Sequence, residues 1–256
     1  MLCRPDLTRT APPGMLSRAL DNARAWRDAQ PSSHEEPAAC ASSKSMPRLP
    51  PQVQEEMTEE KLATLPPELL VKHPLQNPWT LWYYENDKSR TWEQNQVEII
   101  TVNSVEDFWS TYNYIETASN LKHGTDYSLF KQGVKPMWED SKNRNGGRWL
   151  ISLDRSDKQR RERLLDVYWL DVMLLMIGEG FGDAGETVCG AVVNIRNKGD
   201  KIAIWTGDAK RAEEITKIGQ RLKEVLNINP KITIGYQAHS DTMVKSGSIA
   251  KNRYVV

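Results

Sequence analysis

"CGAVVNIRNKGDKIAIWT", residues 189–206, decides how this chain folds. Two runs rich in β-branched and apolar residues, Cys189–Arg196 and Asp200–Thr206, flank the tripeptide Asn197-Lys198-Gly199. A connection that short, containing glycine, makes a hairpin. Parallel neighbours would need a crossover of a dozen residues or more. The pair is therefore antiparallel.

Working outward, "WTLWYYE" (Trp79–Glu85) reads as an aromatic-rich strand, and "GGRWLISL" (Gly146–Leu153) as a strand after a glycine turn. "KITIGYQ" and "NRYVV" close the chain as two more. Ser104, followed three residues later by Asp107, is a capping-box signal. Val105, Phe108, Trp109, Tyr112 and Ile115 then recur at helical spacing. A second helix is predicted over Asp208–Leu226, with Ala212, Ile215, Ile218, Leu222 and Val225 facing inward. The third differs, since between Leu164 and Ile177 only Asp166 and Asp171 are charged. Such a helix is either buried on all sides or carries an apolar patch for a partner. One sheet with three helices leaves little room for full burial, so a partner surface is expected. Short connections and hairpin signals predict an α+β fold, an antiparallel sheet with helices on one face.

Composition sets the boundaries. Of 14 prolines, 12 lie at or before Pro78, and the first 72 residues hold one aromatic, Trp26. A segment that poor in large apolar groups cannot offset the entropy of ordering it, so 1–72 reads as a disordered tail and 73–256 as a single domain. Eight of the nine tryptophans fall in that domain, more than packing needs. Lys+Arg and Asp+Glu balance at 34 each, which excludes a whole-molecule field drawing the protein to nucleic acid or membrane. The three cysteines and four histidines are scattered, so no metal site or disulfide framework is indicated. No secretory or membrane-spanning run is visible, and a cytoplasmic protein, with a nuclear pool as a further expectation, follows.

None of the common catalytic fingerprints is present. A non-enzyme without cofactor is expected. Binding is better signalled. Trp92 in "RTWEQN" and Trp138 in "PMWEDS" each sit beside a carboxylate in a polar loop. A planar heterocycle held between two indoles gains roughly 1–3 kcal/mol per base by stacking, and a cationic ring gains more. A carboxylate at the ring's edge takes two N–H bonds such as guanine offers. The basic loop "IRNKGDK" would hold phosphates. A positively charged guanine nucleotide with a phosphate chain is the N7-methylguanosine cap of messenger RNA.

From His73 to Val256 the chain resembles the translation initiation factor 4E family, on "HPLQNPWTLWYYENDKSRTW", "VEDFW", "DYSLFK", "PMWED", "GGRWLISL", "CGAVVNIRNKGDKIAIWT" and "KSGS…KNR". The resemblance implies a curved sheet with three helices on its convex face and the cap on the concave one. It makes Trp92 and Trp138 the stacking plates, with Glu93 beside the first and Glu139 reading the guanine edge. Trp205 lies against the methyl group, Arg196 and Lys201 hold phosphates, and Arg148, Lys198 and Lys245 add charge. Trp82 and Trp149, within strands, remain core residues. On the convex face His73, Pro74, Val105, Trp109, Leu170, Asp171 and Leu174 would bind a short helix of the scaffolding factor 4G or of inhibitory 4E-binding proteins, with Asp171 standing where the family more often has Glu. Ser248 would be a phosphorylation site, with Lys251 near it. Rival readings are a cap-binding paralogue that represses translation and a cap-processing hydrolase.

Overall fold

The computed structural model describes residues 71–153, 158–243 and 252–256. The strands are β1 (Pro74–Tyr84), β2 (Gln96–Ser104), β3 (Asp126–Lys131), β4 (Gly147–Ser152), β5 (Val188–Asn194), β6 (Lys201–Thr206), β7 (Gly235–Ala238) and β8 (Tyr254–Val255). The helices are α1 (Val105–Tyr114), α2 (Lys158–Ile177), α3 (Ala212–Val225) and the short α4 (His239–Met243). The eight strands form one sheet in the order β2-β1-β3-β5-β6-β4-β7-β8, and every pairing is antiparallel. The hairpin at 189–206 is its middle: β5 and β6 pair from Val188↔Thr206 to Asn194↔Lys201.

Alternation along the strands sorts the side chains onto two faces. One face carries Trp79, Leu81, Trp149, Ile151, Ala191, Val193, Ile202 and Ile204, and these join Phe108 of α1, Trp169 of α2 and Ile215 of α3 in the main core. The other face carries Phe130, Cys189, Val192, Ala203 and Trp205, a smaller apolar cluster of its own. It is on this second, open face that a ligand can be reached.

Two contacts show how tightly the helix-covered face is closed. A Cβ on Gly219 of α3 would meet the Trp149 ring at 2.4 Å, so glycine at this mid-helix position lets the helix settle onto the indole. The Trp149 Nε1–H donates to the Ile215 carbonyl at 3.0 Å. On α1, the Ser104 hydroxyl accepts from the Asp107 N–H at 3.1 Å and donates to the Asp107 carboxylate at 2.7 Å, which is the cap the sequence predicted.

Several expectations need correction. β1 begins at Pro74, five residues before the predicted strand. β2 adds an edge strand to those expected: its alternation, Gln96-Val97-Glu98-Ile99 and then Ile100-Thr101-Val102, changes phase at Ile99, where the pairing with β1 is irregular. "KITIGYQ" is strand only from Gly235; Ile232 turns back on Asn229 and is exposed. α3 starts at Ala212 rather than Asp208, since the Asp208 carboxylate accepts the Lys210 N–H and holds a turn; Ala212 is exposed, not inward. Trp82 is half-buried rather than core, because it is out of phase with Trp79 and Leu81 and so stands on the open face.

On α2 the two readings divide. Leu165, Trp169, Val172, Met173, Leu175, Met176 and Ile177 are buried, and no residue from Leu164 to Ile177 is exposed. The sheet covers one side, and the 3₁₀ turn Ala118–Asn120 covers another. Ser119 fastens that turn by donating its N–H and hydroxyl to the Asp166 carboxylate at 2.9 and 2.6 Å. What remains for a partner is the half-buried strip of Leu170 and Leu174.

Candidate functional site

The open face holds a cavity of about 580 Å³. Its floor comes from neighbouring strands: Asp126 and Ser128 of β3, Val192 and Asn194 of β5, Trp205 of β6 and Arg148 of β4. Two loops supply the walls. The β1–β2 loop brings Thr91, Trp92 and Glu93, and the β3–β4 loop brings Pro136, Met137, Trp138 and Glu139.

Each loop is pinned by a buried asparagine. Asn95 donates its side-chain N–H to the Asp87 carbonyl at 2.9 Å. Asn143, fully buried, donates to the carbonyls of Lys135 and Met137, both at 2.8 Å, while Asp140 accepts the Lys135 and Lys142 N–H groups. The loop's return into β4 passes so close to Thr206 that a Cβ on Gly146 would lie 1.7 Å from its carbonyl oxygen. Irregular chain of this kind stays in place only because its polar backbone groups are satisfied. The two tryptophans are thus held out on fixed loops: Trp92 is 46% exposed and Trp138 38%, far from the burial of a core indole.

Glu139 is exposed and accepts the indole N–H of its neighbour Trp138. Trp205 is buried, set edge-on to Phe130 at 5.6 Å and lying 4.4 Å from the ring of His239. Opposite it in register stands Arg148. Burial holds the Arg148 guanidinium below its ordinary pKa. Burial, helped by the Arg148 charge, pushes His239 down to about 4. The imidazole behind Trp205 is therefore neutral at physiological pH.

Of the cation set, Arg148 lines the cavity, and Arg196, Lys198 and Lys201 do not. Arg196 follows β5 and is engaged by the β3 carboxylate of Asp126. Lys198 is exposed in the β5–β6 turn, and Lys201 is exposed on the open face, paired with Asn194. That turn is anchored by buried Asp200, which accepts the Arg196 N–H at 3.0 Å and lies 3.3 Å from Arg161 Nε of α2. Lys245, Ser248 and Lys251 lie outside the described residues.

The second predicted set is on the helix-covered side. His73, Pro74 and Val105 meet at the start of α1: the His73 carbonyl accepts the Val105 N–H at 2.9 Å, and Pro74 pairs with Ser104. The His73 N–H and Nδ1 bond to the two Glu106 carboxylate oxygens at 2.9 and 2.7 Å. Trp109 is half-buried, 5.3 Å from Phe108 and 5.9 Å from Tyr112. Leu170 and Leu174 are half-buried one turn apart, and Asp171 is 9% exposed.

The sequence reading missed Asp126, Ser128, Asn194 and Gln96 in the cavity lining. Asp126 and Ser128 had a findable signal, since they alternate with Tyr127 and Leu129 in "DYSLFK"; Asn194 had none, because it ends the unbroken apolar run "AVV". Gln96 begins the alternation Gln96-Val97-Glu98-Ile99, a signal cut short by the change of phase that follows.

Comparison with known proteins bears on this site. The model of the family described as Eukaryotic initiation factor 4E matches residues 74–254. Human eukaryotic translation initiation factor 4E is 55% identical over 207 residues, 81% of this chain and 94% of that protein. Two solved structures are similar over most of the chain. One is Caenorhabditis elegans initiation factor 4E-3 in complex with the 4E-binding protein Mextli, 45% identical with TM-score 0.68, covering 73% of this chain and 100% of that one. The other is Ascaris suum initiation factor 4E-3 with the m7G cap, 47% identical with TM-score 0.67, covering 73% and 98%.

Proposed function

Since the chain belongs to the eukaryotic initiation factor 4E family, we propose that its open-face cavity binds the N7-methylguanosine cap of messenger RNA and that its helix-covered face binds a scaffold or 4E-binding protein during translation initiation. One observation carries the cap assignment: Trp92 and Trp138 project from two separately pinned loops into one cavity, each half-exposed, with Glu139 beside the second. Indoles left that far in water find their stabilisation in a ligand. The cationic methylated guanine stacks between them. Glu139 exchanges the Trp138 N–H for the guanine edge, and Trp205 backs the methyl group. Arg148 lines the cavity for the phosphate chain, and Arg196, Lys198 and Lys201 extend it along the β5–β6 side. The partner face is supported by Trp109, Leu170 and Leu174, apolar groups that the core covers only partly.

Retention on immobilised 7-methyl-GTP tests the proposal. The protein should be retained and released by free 7-methyl-GTP, with GTP a far weaker competitor. Equal release by both nucleotides would overturn the cap assignment. A co-eluting protein bearing an amphipathic helix is expected in the presence of cell extract.

A further inference from the structure

We infer that Asp126 is a positioning residue for the phosphate chain: it acts through Arg196, holding one edge of the guanidinium so that the remaining donors are presented to phosphate. The inference rests on the assignment of Arg196 as a phosphate ligand. Asp126 is 8% exposed and lines the cavity, yet its two oxygens turn to Arg196. Arg196 Nη1 donates to one of them and Nη2 to the other, the latter at 2.9 Å. Nη1 also donates to the carbonyls of Thr125 at 3.2 Å and Ile195 at 3.1 Å. A guanidinium has five N–H donors in a rigid plane. The contacts here consume both Nη1 hydrogens and one on Nη2, which leaves Nε–H and the second Nη2–H without a partner among the described residues. Those two are the fork that a phosphate takes.

Two features separate this from an ordinary structural ion pair. The Asp126 carboxylate belongs to the cavity floor, so Arg196, which does not itself line the cavity, is held beside it, and Asn194, opposite Asp126 in register, lines the cavity too. The lysines of the same basic stretch, Lys198 and Lys201, are exposed and form no ion pair among the described residues. Of these three cations, Arg196 is the one held by a carboxylate among the described residues. Fixing a long side chain before the ligand arrives removes part of the ordering cost of binding.

The test is a cycle of Asp126→Asn, Arg196→Ala and the double variant, with the affinities of 7-methyl-GMP and 7-methyl-GTP measured by tryptophan fluorescence. Asp126→Asn should lower the triphosphate-over-monophosphate affinity ratio roughly fivefold, about the net worth of one ordinary hydrogen bond. In the Arg196→Ala background it should have no further effect, because residues acting as a unit are not additive. A ratio that stays constant or rises in Asp126→Asn overturns the inference, as does an equal fall with and without Arg196. If Arg196→Ala leaves the wild-type ratio intact, the phosphate role of Arg196 fails and takes the inference with it; a loss in Arg196→Ala with none in Asp126→Asn sinks the inference alone. Should Asp126→Asn not fold, Arg196→Lys keeps the charge without the fork. A ratio reduced to the Arg196→Ala level supports positioning, and full retention overturns it.

Discussion

Glu139 shows how much depends on a single carboxylate's choice of partner. It accepts from the Trp138 indole while exposed to solvent, so both of its oxygens lie within reach of a ligand edge. Replacing Glu139 with Ala removes the acceptor for the guanine N–H groups and leaves them unpaired against the indoles, at a cost of about 1–3 kcal/mol. Binding of 7-methyl-GTP followed by tryptophan fluorescence should weaken by roughly tenfold or more. A change under about twofold would remove Glu139 from the edge-reading role. Glu139→Gln keeps one oxygen and should fall between the two.

At the scale of elements, α1 is self-sufficient. Its N-terminus is capped by Ser104, and its Val105 N–H is taken by His73, so the helix needs no partner to form. That separates its outer face from its folding. Trp109 lies on this face, half-covered by Phe108 and Tyr112. Trp109→Ala should abolish binding of an amphipathic scaffold-type peptide, since a central aromatic anchor often contributes about 2 kcal/mol or more. Retention on 7-methyl-GTP should persist, because the cavity lies on the opposite face of the sheet. Loss of both activities together, in protein that melts as wild type does, would place Trp109 outside the partner site.

For the whole molecule, the buried His239 links the site to stability. Its pKa is lowered from 6.5 to about 4, first by burial and then by the Arg148 charge. The unfolded chain binds a proton at this residue below about pH 6.5, and the folded one only near pH 4. Between these values unfolding takes up a proton, so stability is lost as pH falls from about 6.5 toward 4, by at most about 3 kcal/mol. Asp126 and Asp166, raised chiefly by burial, act in the opposite sense in the same acid range. The His239 contribution is therefore read as a difference. His239→Phe keeps a ring against Trp205 and removes the titration. Urea unfolding at pH 7 and pH 5 should show a smaller loss for the variant than for wild type, and equal losses would contradict a neutral buried imidazole.

The sequence by itself determined the antiparallel hairpin at 189–206, the capped start of α1 and the pairing of Trp with Glu at 92–93 and 138–139. Each of these is a local matter: turn length, a side chain bonding a backbone three residues on, an aromatic stranded among polar neighbours. Resemblance extended this to a list of residues without saying what each one touches. Only the tertiary structure decided the rest. Trp82 and Trp149 look alike in sequence, and the register of their strands sends one to the open face and the other against Gly219. The apolar length of α2 reads as one broad partner surface until the sheet and the turn at Ala118–Asn120, whose Ser119 bonds Asp166 from 47 residues away, are seen to leave only the strip of Leu170 and Leu174 partly uncovered. Arg196 reads as a free cation until β3 brings Asp126 to it from 70 residues away. Burial and charge pairing are set by which strands become neighbours, and short-range pattern carries no record of that.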